Sequence, residues 1–238
     1  MQHKMYYNLS TLSQMDIYLF KQGSYTKMYE KFGAHPMTHK GKKGVHFAVW
    51  APNAKSVCVR GDFNDYKIDA HPLQLRSDDS GIWEGFIEDI AIGLTYKYHI
   101  VSLFHNIVHE KSDPFAFYSE VAPKSASRIY ELDNYKWNDK KWMEKRYKNN
   151  ACDSPISVYE MHVGSWRRNP LEDNRYLTYK ELALELFPYL KEMNYTHVEF
   201  MPLSEYQYFG SWGYQVVGYF SATSRFGEPE DLMYLIEE

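Results

Sequence analysis

Hydrophobic and polar residues alternate along several short segments in the first half of the chain. The alternation is clear in residues 44–52, where Val45, Phe47 and Val49 occupy every second position. A period of two predicts strands that bury one face. Turn-forming residues separate the segments, and short strands at this spacing are typical of a β-sandwich. We expect further strands of this sandwich in residues 55–63, 81–90 and 94–104.

The segments on either side of the sandwich have different patterns. Residues 1–36 are expected to form a helical lead, because apolar residues cluster within them and Gly33 is a plausible helix stop. We place the sandwich itself in residues 37–133. The stretch 134–155 is highly charged and has no apolar period, so we interpret it as a linker.

Beyond the linker, the pattern changes to strands and helices in turn. Residues 156–163 and 196–203 are apolar and predict buried strands. Between them, residues 178–194 predict a helix that begins with a capping box of Thr178 and Glu181. A second helix is expected near the C-terminus. This order of elements is typical of a parallel α/β unit.

The composition of the chain argues against several classes of function. Hydrophobic residues make up 44% of the 238 residues and charged residues 24%, as in globular domains. The net charge is −4 and no long basic run is present, which argues against nucleic acid as a partner. The N-terminal residues do not have the pattern of a signal peptide, and no apolar run is long enough to span a membrane. Cys58 and Cys152 form no metal or redox spacing, so we expect a cytoplasmic protein.

Two pairs of histidines, His35 with His39 and His105 with His109, have the four-residue spacing of metal ligands on a helix. Both pairs lie in predicted loops or strands, where this spacing does not bring the side chains together. We therefore expect no metal site, and no cofactor motif is apparent.

Candidate functional residues follow the predicted strands of the second half. In Tyr159–Arg168, Glu160 and His162 alternate along a strand that is expected to be buried, and such residues are more often structural ion pairs than catalysts. His162, Trp166, Glu205 and residues 212–215 lie at or just beyond strand ends, where parallel α/β barrels place their functional groups. For Trp212 and Tyr214, a sugar platform and ordinary loop packing are equally good interpretations.

The chain resembles the N-terminal portion of bacterial 1,4-α-glucan branching enzymes of the α-amylase clan. The resemblance rests on the order and spacing of five motifs, YLFKQGSYTKMYEKFGAHP, GVHFAVWAPNAKSVCVRGDFND, KSDPFAFYSE, YEMHVGSWRR and GSWGYQVVGYFSATSRFGEPEDL. It implies an all-β immunoglobulin-like sandwich of the glucan-binding-module type. In residues 156–238 it implies the first two βα units of a truncated (β/α)8 barrel.

The resemblance also implies a chemistry and a substrate. These enzymes form α-1,6 branches in glycogen by transferring an α-1,4-glucan segment through a retaining mechanism with paired carboxylates. The family carries these carboxylates on later barrel strands, so we expect no catalytic residue in this chain, which would be inactive alone as an N-terminal fragment. The expected partners are α-1,4-glucan chains and the C-terminal part of the enzyme.

By resemblance, the ring of Tyr214 stacks under the sugar that is attacked, and Trp212 and Gln215 frame the same pocket. Glu205, His162 and Trp166 complete our set of substrate-binding candidates. On the sandwich, the candidate glucan contacts are two aromatic residues, Trp83 and Tyr66, and for Trp83 burial in the core is at least as good an interpretation as exposure.

Two positions depart from the family pattern. Tyr66 stands where the family usually has a tryptophan, and Phe209 stands where it often has an aspartate. A non-catalytic α-glucan-binding protein is the alternative interpretation of the chain. Trehalose-releasing and debranching relatives fit less well, because they typically carry an acidic residue at the position of Gln215.

Overall fold

The computed structural model describes residues 3–238 and divides them into two compact units. The first unit comprises the chain up to Glu131 together with Gly218–Ser221, and the second comprises Leu132–Val217 and Ala222–Glu238. Each unit has its own hydrophobic core.

The first unit contains two antiparallel five-stranded sheets. Its elements are β1 (Met5–Tyr6), α1 (Gln14–Lys21), β2 (Gly33–His39), β3 (Lys42–Trp50), β4 (Ala54–Gly61), β5 (Gln74–Leu75), β6 (Ile82–Glu88), β7 (Thr95–Ser102), β8 (Val108–Lys111), β9 (Tyr118–Ser119) and β10 (Ser127–Arg128). One sheet has the order β1-β6-β3-β2 with β5 beside β6, and the other has the order β4-β7-β10-β9 with β8 beside β7.

The two sheets share one core, as in a sandwich. Phe47 of β3 is fully buried, and its ring makes an edge contact at 5.2 Å with Tyr96 of the other sheet. The alternating side chains that predicted the strands all lie in this core, so the predicted sandwich is confirmed at this level.

The N-terminal segment covers the outer face of the first sheet. Helix α1 packs through Ile17 against Phe32 and Ile82, which form a small second cluster. Of the expected helical lead, residues 1 and 2 lie outside the described residues, and within residues 3–36 helical structure is limited to α1 and a single turn at Met28–Glu30, while Met5–Tyr6 adds a strand to β6. Because both faces of β6 are covered, all seven of its residues are buried.

The second unit begins with helix α2 (Lys140–Asn149), in which no residue is buried. The remaining elements are β11 (Val158–Met161), α3 (Val163–Trp166), β12 (Arg168–Asn169), β13 (Arg175–Tyr176), α4 (Tyr179–Glu192), β14 (His197–Phe200), β15 (Ser204–Tyr206), β16 (Val216–Ala222) and α5 (Pro229–Glu237). Of β16, only the terminal residues belong to the second unit, because Gly218–Ser221 belong to the first. Strands β11 and β14 pair in parallel and α4 lies between them in sequence, as predicted. The other strand pairs are β12 with β13 and β15 with β16.

The parallel pair buries only one of its faces. Tyr159 and Met161 of β11 pack into the core of the unit with the apolar stripe of α4. Val158 and Glu160, on the opposite face, are exposed. The expectation that Glu160 lies on a buried strand is therefore wrong, because the described elements cover the β11–β14 pair on one side alone.

The two cysteines differ in environment. Cys58 lies in β4 and is buried, whereas Cys152 follows α2 and is exposed. Burial raises the pKa of the Cys58 thiol, with a further contribution from the nearby Asp69 carboxylate.

The capping box of α4 predicts a pH dependence of stability. Glu181 accepts a hydrogen bond from the Thr178 backbone N–H at 2.8 Å and forms a two-pronged pair with Arg175, also at 2.8 Å. These hydrogen bonds, chiefly those from Arg175, lower the pKa of Glu181 to about 2. A lowered pKa gives stability that is complete above the unfolded-state value of about 4.3 and is lost as the pH falls toward 2.

We expect Glu181→Gln to lower the free energy of unfolding by about 1 kcal/mol at pH 7, a value reduced by solvent screening of this partly exposed pair. At pH 2.5 the difference from the wild type should fall to about a quarter of its value at pH 7, because it is lost completely only below the folded-state pKa of about 2. Urea unfolding followed by circular dichroism at both pH values measures it. Glu185→Gln, which removes the exposed partner of Arg167, is the control. A difference that stays constant with pH would contradict the assignment.

Candidate functional site

The loop between β15 and β16 presents large aromatic side chains to solvent. Trp212 is 54% exposed and Tyr214 is 64% exposed. Trp212 has a left-handed backbone with φ of 54°, and Gly213 follows with φ of 93°. A Cβ atom on Gly213 would lie 2.4 Å from the Pro202 carbonyl oxygen, so only glycine fits this close approach. The turn is closed by a 3.0 Å hydrogen bond from the Tyr214 N–H to the Ser211 carbonyl.

His162 lies at the end of β11 and contacts this loop. Its ring centroid is 6.3 Å from that of Trp212 and 5.9 Å from that of Phe209. Nδ1 lies 2.9 Å from the Ser165 hydroxyl, while the buried Nε2 has no hydrogen-bond partner among residues 3–238. Burial, with a smaller effect of the Arg168 cation, lowers the pKa of His162, which favours the neutral form of the ring.

Phe209, at the position where an aspartate was expected, is part of an aromatic base for the loop. Its ring stacks on Tyr176 of β13 at 5.5 Å and 24°. Tyr176 makes an edge contact with Phe226 at 5.7 Å. The departure from the family pattern therefore replaces a polar group with apolar packing. Tyr176 and Phe226 are residues that the sequence patterns did not single out.

Trp166 has the contacts of a packing residue. Its indole N–H donates to the Tyr159 hydroxyl at 3.0 Å, and its ring makes an edge contact with Tyr189 of α4. The Arg167 guanidinium lies 4.3 Å from the ring centroid. Trp166 thus packs against the core of the second unit, and none of these contacts joins it to Trp212 or Tyr214.

Glu205 is only 1% exposed and cannot reach a bound sugar. Its carboxylate pairs with Arg225 at 2.7 Å and accepts two hydrogen bonds from Ser224. The expectation of a direct substrate contact is therefore wrong for this residue. A carboxylate buried at the start of the loop needs internal partners, and Arg225 is the partner that the sequence did not reveal.

Neither of the two aromatic candidates on the sandwich, Trp83 and Tyr66, has a fully exposed ring. Trp83 is 8% exposed, lies in the core and donates its indole N–H to the Ala51 carbonyl at 3.0 Å. A ring buried in this way cannot stack on a sugar, so the prediction for Trp83 is wrong. Tyr66 is half-buried, with its hydroxyl 2.5 Å from the Thr95 hydroxyl. Beside it in the chain, a cavity of about 580 Å³ is lined by Phe63, Asn64, Asp65 and Lys67 among others.

The site candidates therefore separate into three groups. The structure brings His162 and Trp212 together, with Tyr214 and Gln215 exposed on the same loop. Glu205 is buried at the start of the loop, Trp83 lies in the sandwich core, and Trp166 is partly buried against the core of the second unit. Within residues 3–238 no three His, Cys, Asp or Glu side chains are grouped as metal ligands. No helix in that range has the length and apolar character needed to cross a membrane.

Part of the first unit is similar to a known carbohydrate-binding module. Residues 31–116 match the family profile of carbohydrate-binding module 48, described as the isoamylase N-terminal domain. The chain is 51% identical to the 1,4-alpha-glucan branching enzyme GlgB of Aquifex aeolicus, over 96% of this chain and 36% of that protein. It is 45% identical to GlgB of Synechococcus sp. strain JA-3-3Ab, over 95% of this chain and 31% of that protein.

The chain thus spans about a third of the length of the curated relatives that it matches. The aligned part is their N-terminal third, which confirms the resemblance over nearly the whole chain. Solved structures with the same fold include the 'putative alpha amylase' of Salmonella typhimurium, with a TM-score of 0.64 and 22% identity; the match covers 87% of this chain and 30% of that one. A pullulanase from Bacillus acidopullulyticus has a TM-score of 0.62 and 18% identity, with coverage of 87% and 28%.

Proposed function

We propose that this chain forms the N-terminal, glucan-binding part of a 1,4-α-glucan branching enzyme. The observation that carries the proposal is 51% identity to such an enzyme along 96% of the chain. The match includes the module in residues 31–116 and continues through the second unit, so it is not limited to a widely shared binding domain. We place the enzyme in the cytoplasm and take α-1,4-glucan chains as its substrate.

The second unit is proposed to supply the first two strand–helix units of a (β/α)8 barrel. Its parallel pair, with Tyr159 opposite Val198, and the helices α4 and α5 that follow the two strands support this assignment. The exposed Ile156 and Val158, at 68% and 47%, are apolar positions that further barrel strands would cover.

The reaction proposed for the complete enzyme has two displacement steps. A carboxylate attacks the anomeric carbon and the α-1,4 bond breaks, while a carboxylic acid protonates the departing 4-oxygen. The 6-hydroxyl of an acceptor chain then attacks the anomeric carbon. The bond to the enzyme carboxylate breaks and the second carboxylate takes up the hydroxyl proton, which restores both groups.

The residues described here would contribute binding and orientation to that reaction. The Tyr214 ring offers a flat apolar face for a pyranose ring, and Trp212 offers a second one beside it. The exposed Gln215 amide can exchange hydrogen bonds with sugar hydroxyls. The His162 ring, whose pKa is lowered by burial, packs beside Trp212 at the edge of this surface.

A non-catalytic α-glucan-binding protein is the second candidate. The match of residues 31–116 to carbohydrate-binding module 48 favours it, since that module has a core of its own. Both candidate functions include glucan binding. Only the branching enzyme requires the Tyr214 loop to bind the sugar that reacts.

The proposal predicts weak binding to glycogen. One stacked ring contributes about 1 kcal/mol, so we expect a dissociation constant on the order of millimolar and about a fivefold loss for Tyr214→Ala. Affinity electrophoresis in gels containing glycogen measures both. Tyr147→Ala, which removes a tyrosine that is 93% exposed on α2, is the matched control and should leave the retardation unchanged. Folded wild-type protein that migrates equally with and without glycogen would contradict the proposal.

A further inference from the structure

A buried ion pair joins the two segments that flank the Trp212–Tyr214 loop. The Arg225 guanidinium lies 2.7 Å from a Glu205 carboxylate oxygen, and the side chains are only 5% and 1% exposed. Burying two charges is costly unless other hydrogen bonds complete their coordination. Further hydrogen bonds of Arg225 and Glu205 reach the main chain at the start of the loop and after β16.

Arg225 binds the main chain at the point where the loop begins. Its guanidinium donates to the Tyr206 carbonyl at 2.5 Å and to the Gln207 carbonyl at 3.0 Å. It also lies 3.9 Å from the centroid of the Tyr206 ring. A planar guanidinium reaches several acceptors in fixed directions, whereas a lysine ammonium is a single point of donation.

Glu205 accepts hydrogen bonds from residues 223 and 224, which follow β16. One carboxylate oxygen accepts from the Ser224 N–H at 2.8 Å and from its hydroxyl at 2.9 Å. The other accepts from the Thr223 hydroxyl at 3.2 Å. The Thr223 N–H in turn donates to the Leu203 carbonyl at 2.8 Å. The ion pair thus fixes residues 203–207 against residues 223–225.

Main-chain hydrogen bonds connect the residues held by Arg225 to the part of the loop that carries the exposed rings. Gln207 is followed at once by Tyr208, whose carbonyl accepts from the Ser211 N–H at 3.0 Å. The Phe209 carbonyl accepts from the Trp212 N–H at 3.1 Å, and the Tyr214 N–H closes the next turn. A shift of the Gln207 carbonyl therefore displaces both Trp212 and Tyr214.

We infer that Arg225, held by Glu205, is a positioning residue that sets the orientation of Trp212 and Tyr214 for glucan binding. This role rests on the proposed function of the loop as a sugar platform. Arg225 touches no substrate in this arrangement. It acts through two backbone carbonyls and an ion pair, all beneath the loop.

The first measurement needs no ligand. The full chain is labelled with 5-fluorotryptophan, which gives one ¹⁹F line for each of its six tryptophans, and the Trp212 line is assigned with Trp212→Phe. In Arg225→Lys we expect that line to shift and broaden while the other five stay in place. Glu205→Gln, which keeps the shape of its side chain, should have the same effect in smaller degree. Arg76→Lys, at the partly buried Arg76–Glu84 pair of the first unit, is the control and should leave the Trp212 line unchanged.

The second measurement is maltoheptaose affinity by titration. Arg225→Lys should lower it about tenfold. The same change made on a Trp212→Ala, Tyr214→Ala background should cause no further loss, because its effect passes through those two rings. A general structural defect would add to the loss in both backgrounds.

The outcomes separate this inference from the proposed function. A wild-type chain that does not bind maltoheptaose would contradict the proposed function, while the Trp212 line still tests the positioning role. An unchanged Trp212 line in Arg225→Lys would overturn the inference. So would equal changes in all six lines, because Arg225 would then support the whole unit and not the loop.

Discussion

Replacing Tyr214 with alanine should lower branching turnover by about two to three powers of ten in a complete enzyme that carries this chain. The expectation combines stacking and orientation of the reacting sugar, which together supply roughly 3–4 kcal/mol to the transition state. The ring is exposed, and the turn from Ser211 and the close approach of Gly213 to Pro202 hold it in place. Tyr214→Phe keeps the ring and should retain most of the activity.

The measurement requires a complete enzyme. A chimaera of this chain with the remaining two-thirds of the Aquifex aeolicus relative is suitable, because the aligned third is 51% identical. Turnover is followed as new α-1,6 linkages formed in amylose. Tyr147→Ala is the control, since Tyr147 is an exposed tyrosine on α2 and lies outside the loop. Near-normal turnover by Tyr214→Ala would show that the loop is packing and that the assignment of a sugar platform is wrong.

Replacing Asp113 with alanine should destabilise the first unit by about 4 kcal/mol. The Asp113 carboxylate is buried and accepts hydrogen bonds from the Tyr96 and Tyr98 hydroxyls at 2.7 and 2.9 Å and from the Phe115 N–H at 2.8 Å. Its removal leaves two buried hydroxyls and an N–H unsatisfied, and each such group costs about 1–3 kcal/mol. Thermal unfolding followed by near-ultraviolet circular dichroism measures the change.

Two comparisons make the Asp113 result specific. Asp113→Asn keeps one acceptor oxygen and should cost roughly half as much, while Asp153→Ala, at an exposed aspartate, should cost less than about 0.5 kcal/mol. Burial raises the pKa of Asp113 despite its hydrogen bonds. A raised pKa gives stability that is complete below the unfolded-state value and declines as the pH rises through the folded-state value. Asp113→Asn should lack this decline. A cost below 1 kcal/mol for Asp113→Ala would contradict the proposed network.

The strands of the sandwich were predictable because their signal is local. Val45, Phe47 and Val49 alternate over five residues, and the same alternation places them in the core. The pairing of Met5–Tyr6 with β6 was not predictable, because it joins positions about 80 residues apart and the short strand has no period of its own. Helix α2 was missed for a related reason, since no residue in it is buried and its sequence has no apolar stripe.

The candidate site shows a similar division. Trp212, Tyr214 and Gln215 were found from their motif and lie exposed on one loop. Glu205 was misassigned because its burial depends on Arg225, a residue 20 positions later. The error for Trp83 has a different origin. Trp83 lies on the same face of β6 as Ile87, and both side chains belong to the core between the two sheets, so alternation along the strand already favours burial of this ring.

The contrast between the two cysteines gives the chain a natural position for a single chemical label. Only the Cys152 thiol is open to a maleimide dye or a nitroxide, since Cys58 lies in β4 with 3% exposure. A probe attached there reports from the segment after α2 without any engineered substitution. Two such probes, one on Cys152 and one on a cysteine introduced into the sandwich, would measure the distance between the units in solution.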